Sequence, residues 1–74
     1  MSAFGAVLAR ERAKQGISQY RLAERSDVDF SSISRLETGN RNPSRTMVEK
    51  LIGGLGLAGR EANAFRLAAG FAPR

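Results

Sequence analysis

Apolar residues recur along this chain at the three- and four-residue spacing of a helix face, and glycine repeatedly closes the pattern. In AFGAVLARERAKQG, Phe4, Val7 and Leu8 share one side, and Gly16 is the expected C-terminal stop. Ser18 then offers an N-cap for SQYRLAERSD, which is expected to bury Leu22 and Ala23 and to end near Ser26. Arg21 stands where a full capping box would carry Glu, so that box is absent. After a tight turn, Asp29 is placed to cap a third helix over Phe30 to Thr38, stopped by Gly39. NRNP has the chemistry of a loop. Ser44 caps RTMVEKLIGGL, where Val48, Leu51, Ile52 and Leu55 recur at i, i+3, i+4 and i+7. Gly53 and Gly54 predict a frayed end to that helix, since each costs about 1 kcal/mol relative to alanine. The last helix, near REANAFRLAAG, presents Ala62, Phe65, Ala68 and Ala69 and stops at Gly70. β-branched residues never alternate over four or more positions, so no strand is expected. The expected fold is all-α, five short helices in a single domain over residues 1–74.

The third helix has an unusual outward side. At about 100° per residue, Ile33, Leu36 and Glu37 cluster together, while Ser31, Arg35 and Thr38 lie opposite with Ser32 and Ser34 flanking. That face is small, polar, cationic and almost without acid, as a surface entering the major groove of duplex DNA must be. Phe30 sits at its edge, about 60° from Ile33, and has two readings: an edge of the core, or a contact to a thymine methyl. Two helices joined by a three- or four-residue turn, the second polar outside, make a helix-turn-helix, here with its core at about residues 18–38.

Charge strengthens this picture. Twelve Lys and Arg against seven Asp and Glu give a net charge of +5, and ten of the twelve cations are Arg. The pI near 11.1 suits a polyanion partner. At 74 residues the chain holds one domain in which every apolar stripe matters. It has no Cys and no His, which removes disulfides, Cys/His zinc sites and His-based acid–base catalysis. No nucleophile–base set can be assembled from what remains, so an enzyme is not expected, and neither is a metal or a cofactor. No run approaches the roughly 18 apolar residues of a membrane span, and no basic leader precedes MSAFGAVLAR. A cytoplasmic location, away from membranes, is the expectation. Single-stranded RNA readers need stacking aromatics, and Tyr20 is the only Tyr.

The stretch GISQYRLAERSDVDFSSISRLETGNRNPS, residues 16–44, resembles the helix-turn-helix family of lambda and Cro-type repressors, the XRE-like transcriptional regulators. The marks are G-I-S-Q, then L-A, then V, then I-S-R-L-E-T-G, then a short loop to N-P-S. The resemblance implies a five-helix, lambda-repressor-like domain that binds a double-stranded operator, commonly as a homodimer. Gln19 matches a residue that holds a phosphate and braces the recognition helix. Phe30, Ser31, Ser34 and Arg35 match the positions that meet base edges. Asn40, Arg41 and Arg45 match the backbone-contacting region, which Ser32 and Thr38 are expected to join. Arg12 and Glu37 match an ion pair between the first and third helices. Asp27 replaces the usual Gly of the turn, and Phe30 replaces a polar reader such as Gln.

Two functions follow from different classes. One is a sequence-specific transcriptional regulator, a repressor on a palindrome, with Arg35 as the direct reader and Phe65, Leu67 and Phe71 as candidate dimer-interface residues. The other is an antitoxin-like or adaptor module whose C-terminal apolar residues bind another protein. Arg10, Lys14, Arg21, Arg25, Lys50, Arg60 and Arg66 read as plain surface charge. No residue set points to a small-molecule effector. The ending RLAAGFAPR resembles the run that follows this motif in larger regulators, so both a complete small protein and the first part of a longer one are compatible with it.

Overall fold

A computed structural model describes residues 3–73 of the chain. The five helices are α1 (Ala3–Lys14), α2 (Gln19–Ser26), α3 (Phe30–Thr38), α4 (Arg45–Leu55) and α5 (Gly59–Ala68). No strand occurs among the described residues, and none of their helices is long and apolar enough to cross a membrane.

Local chemistry sets the helix starts. Ser18, Asp29 and Ser44 each hold extended backbone, and their side chains accept hydrogen bonds from the backbone N–H of Arg21, Ser32 and Met47. Each cap satisfies a donor that the first helical turn leaves orphaned. The helix-turn-helix corner is only Asp27, Val28 and Asp29 long. Asp27 takes the left-handed conformation there with φ 56°, a region that Asp tolerates better than most non-glycine residues. Gly39 ends α3, with its N–H and that of Asn40 returning to the carbonyls of Leu36 and Arg35.

The core draws on every helix. Phe4, Leu8, Leu22, Val28, Ile33, Leu36, Val48, Leu51, Ile52, Leu55, Ala62 and Phe65 are buried together. Phe4 meets Phe65 edge to face with ring centroids 4.9 Å apart, which locks α1 to α5. Ala23, expected inside with Leu22, is half-buried at the rim.

Two glycines set how closely the helices approach. A Cβ on Gly5 would lie 2.5 Å from the Leu36 carbonyl oxygen, so α1 crosses against the last turn of α3. A Cβ on Gly54 would lie 2.6 Å from the Ser26 Cβ, so α4 touches the end of α2. This corrects the expectation of a frayed α4. The helix runs through both glycines to Leu55, and Gly54 is buried where a larger residue has no room.

Candidate nucleic-acid interface

One network fixes α3 to its neighbours. The Glu37 carboxylate accepts from Arg12 Nε at 2.8 Å and Arg12 Nη2 at 3.0 Å, and its Oε1 also accepts from Gln19 Nε2 at 2.9 Å. Arg12 Nη1 donates to the Ile17 carbonyl at 2.9 Å. A single carboxylate near the C-terminus of α3 therefore joins α1, the α1–α2 turn and the start of α2. Hydrogen bonding to Glu37 holds the Arg12 guanidinium above its ordinary range, against a smaller opposing effect of burial. The forked geometry suits Arg and would not survive Lys.

The start of α3 is fixed by Asp29. Its Oδ2 accepts from the Ser31 hydroxyl at 2.7 Å and the Ser32 N–H at 3.0 Å, and its Oδ1 from the Ser32 hydroxyl at 2.8 Å. These bonds, the Ser31 hydroxyl foremost, lower the Asp29 carboxyl to about 2. A carboxyl lowered on folding contributes stability that is complete above its unfolded pKa, near 3.9, and fades as pH falls through 2. Asp29→Asn keeps one acceptor oxygen but cannot ionise. Melting curves from pH 5 to pH 2 are expected to show a smaller loss of Tm for Asp29→Asn than for the natural chain. Parallel curves would mean that Asp29 is no better held folded than unfolded.

Between these anchors α3 turns one arc outward. Ser31, Arg35 and Thr38 are exposed and Ser34 is half-buried beside them, while Ile33 and Leu36 are inside. The arc is bounded on one side by α2. There Gln19 reaches Glu37, and Tyr20 stacks on Phe30 with centroids 4.0 Å apart and planes 6° from parallel. On the other side Arg41 folds back from the loop, its Nη1 donating to the Ser32 hydroxyl at 2.8 Å. Arg35 lies one turn along from Ser32, on the flank nearer Arg41. Thr38 donates to the Arg35 carbonyl, and Asn40 is exposed just past the helix end.

Charge is unevenly compensated. Glu11 pairs with Lys14 and Arg10, Glu24 with Arg21, Asp27 with Lys50, Glu37 with Arg12 and Glu49 with Arg66. Among the described residues, Arg25, Arg35, Arg41, Arg45 and Arg60 have no ion-pair partner. Three of these five lie on the stretch from α3 to the first residue of α4, so the uncompensated positive charge gathers beside the outward arc. Arg45 sits over the Phe71 ring, 4.9 Å from its centroid.

Several expectations are corrected. Ser32 was placed among the phosphate ligands, yet it is 2% exposed and its hydroxyl is engaged by Asp29 and Arg41. Its place in the fold is to hold those two residues. Phe65 was a candidate for a dimer interface, but at 1% exposure against Phe4 it belongs to the core. Phe71 is half-buried against the core beneath Arg45, which leaves Leu67, 59% exposed, as the open member of that set. Phe30 is half-buried outside the core cluster, under Tyr20. Arg66 is no plain surface charge, since it forks onto Glu49 at 2.7 and 2.9 Å and ties α5 to α4. Nothing local in the sequence signals that pair, because its members are 17 residues apart.

Comparison with known proteins yields one family. Residues 3–65 match the model of a helix-turn-helix domain. No curated protein and no solved structure matches the chain. A match over this much of the sequence, on a five-helix fold with α2 and α3 joined by a three-residue corner, places the chain in the helix-turn-helix domain family of DNA-binding proteins.

Proposed function

We propose that this protein is a sequence-specific transcriptional regulator of the lambda and Cro type, a repressor that lays α3 in the major groove of a palindromic operator. The observation that carries this reading is Arg35, exposed and unpaired on the outward arc of α3 between the α2 edge and Arg41. A guanidinium so placed can fork onto guanine O6 and N7. Ser31, Ser34 and Phe30 share the arc as further base contacts. Gln19, Thr38, Asn40, Arg41 and Arg45 reach the sugar-phosphate backbone, and α2 offers its N-terminal N–H groups to the same phosphates. Gln19 Nε2 bonds Glu37 through one of its two N–H groups, and the second remains for a phosphate.

A domain of this size covers only about 600–1,000 Å² of DNA, which is weak binding for one copy. Two copies on half-sites about 34 Å apart supply the rest. Leu67 is the exposed apolar side chain from which such a homodimer would be built. The reading puts the protein in the cytoplasm of a bacterial or phage-infected cell, at the nucleoid.

Selection of bound duplexes from a random library tests it, returning half-site sequence, spacing and symmetry together. With six phosphate contacts per dimer, log K is expected to fall against log salt with a slope of about −5. Arg35→Ala is expected to cost about 1–3 kcal/mol at one base pair and relax preference there. Arg41→Ala should weaken all sequences alike and lower the slope by about 1. If both variants keep the natural affinity and preference, this assignment of the site is wrong. A chain that enriches no duplex and stays monomeric by light scattering would point to the antitoxin-like or adaptor alternative.

A further inference from the structure

Tyr20 is 67% exposed, yet its ring lies flat on Phe30 at 4.0 Å. Neither ring is in the buried core, and Leu22, Val28 and Ile33 pack α2, the corner and α3 into the interior without them. The stack therefore leaves an apolar, two-ring surface open at the edge of the outward arc of α3. Ser34, one turn along from Phe30, is small and offers no bulk in front of it. No side-chain hydrogen bond engages the Tyr20 hydroxyl among the described residues, so the ring is not held by its polar tip.

The base edges of the major groove carry one apolar group, the 5-methyl of thymine. An aromatic edge among small hydroxyl side chains complements that group and none of the other base-edge features. A lone Phe at a helix start could rotate away from it. A Phe with one face covered by a second ring is held in place before DNA arrives, which lowers the entropy cost of docking. We propose that Tyr20 is a specificity-determining positioning residue. Its stack holds Phe30 as a ledge that selects thymine, through the 5-methyl, at one position of each half-site. The inference rests on the DNA reading above and adds a residue and a base to it.

The competing role for the stack is a brace between α2 and α3, which would be indifferent to a methyl on DNA. The test is therefore a methyl scan. The 74-residue chain is titrated with its library-selected duplex and with the same duplex carrying deoxyuridine for each thymine in turn. Removing one methyl at one half-site position is expected to weaken binding about fourfold, the size of losing one buried methyl-sized contact. Tyr20→Phe keeps the stack and should keep that ratio. Phe30→Ala and Tyr20→Ala should bring the ratio to one while leaving the guanine preference attributed to Arg35. If Tyr20→Ala does not fold, Tyr20→Leu replaces it, apolar but with no ring to stack. A natural chain indifferent to deoxyuridine at every position overturns the inference while the DNA reading stands. A Tyr20→Ala or Tyr20→Leu chain that still loses fourfold overturns the part given to Tyr20. A library that enriches nothing overturns the DNA reading, and the ledge with it.

Discussion

Glu37→Ala is expected to destabilise the fold by about 3 kcal/mol, the lower end of what breaking a buried ion pair costs. The carboxylate side chain is 9% exposed and its Arg12 partner 22%. Removing it strands a guanidinium that water reaches only partly, together with the Gln19 amide. Arg12 keeps its bond to the Ile17 carbonyl, which moderates the loss. A domain of this length has a total stability of about 4–11 kcal/mol, so the change takes a large share of it. The expected fall in Tm is roughly 12–24 °C. Arg12→Ala should be worse, because it leaves the more deeply buried carboxylate facing only the Gln19 amide. The double variant should cost much less than the sum of the two, since each single change already removes the pair. Thermal melts of the three variants check this. Single losses below 1 kcal/mol, or strict additivity, would show the pair to be an ordinary surface contact.

The same network explains how a short helix can serve as a rigid reader. The nine residues of α3 could not hold a helix alone in water. Asp29 fixes the first turn and Glu37 the last, and Ile33 and Leu36 bury the inner side. The outward arc is thus pre-positioned by groups that need not touch DNA themselves.

What the sequence made legible was local chemistry. Ser18, Asp29 and Ser44 cap as expected because a cap involves residues two or three apart. Gly39 ends α3 at the expected residue for the same reason. The outward placement of Arg35 follows from helical arithmetic once α3 is located. What stayed illegible depends on distant partners. The same arithmetic put Ser32 at the flank of the polar face, but Arg41, nine residues later, closes over it. Arg66 looked like free charge until α5 was folded against Glu49. Tyr20 carried no signal, because its stacking partner lies across the corner on the next helix.

Gly53 and Gly54 show the same division between local and distant causes, and they should respond to alanine with opposite signs. Both lie inside α4, where glycine costs about 1 kcal/mol relative to alanine. Gly53 is exposed, and a Cβ there would meet nothing within 4 Å. Gly53→Ala is therefore expected to stabilise the fold by up to about 1 kcal/mol. At Gly54 the added Cβ would lie 2.6 Å from the Ser26 Cβ and 2.9 Å from its Cα. Backbone cannot swing aside as a flexible side chain can, and Ser26 is further pinned by its hydroxyl bond to the Leu22 carbonyl. Overpacking of this kind costs about 1–3 kcal/mol and occasionally more. After the propensity gain, Gly54→Ala should remain about 2 kcal/mol less stable than the natural chain. The two variants, one residue apart, should then differ by roughly 12–24 °C in Tm. Relief at position 54 requires α2 to move off α4, which would carry Gln19 and Tyr20 away from α3. Gly54→Ala should accordingly bind DNA more weakly even at temperatures where it is fully folded, whereas Gly53→Ala should bind as before. Equal stabilisation by both changes would mean that α2 and α4 do not approach this closely in solution.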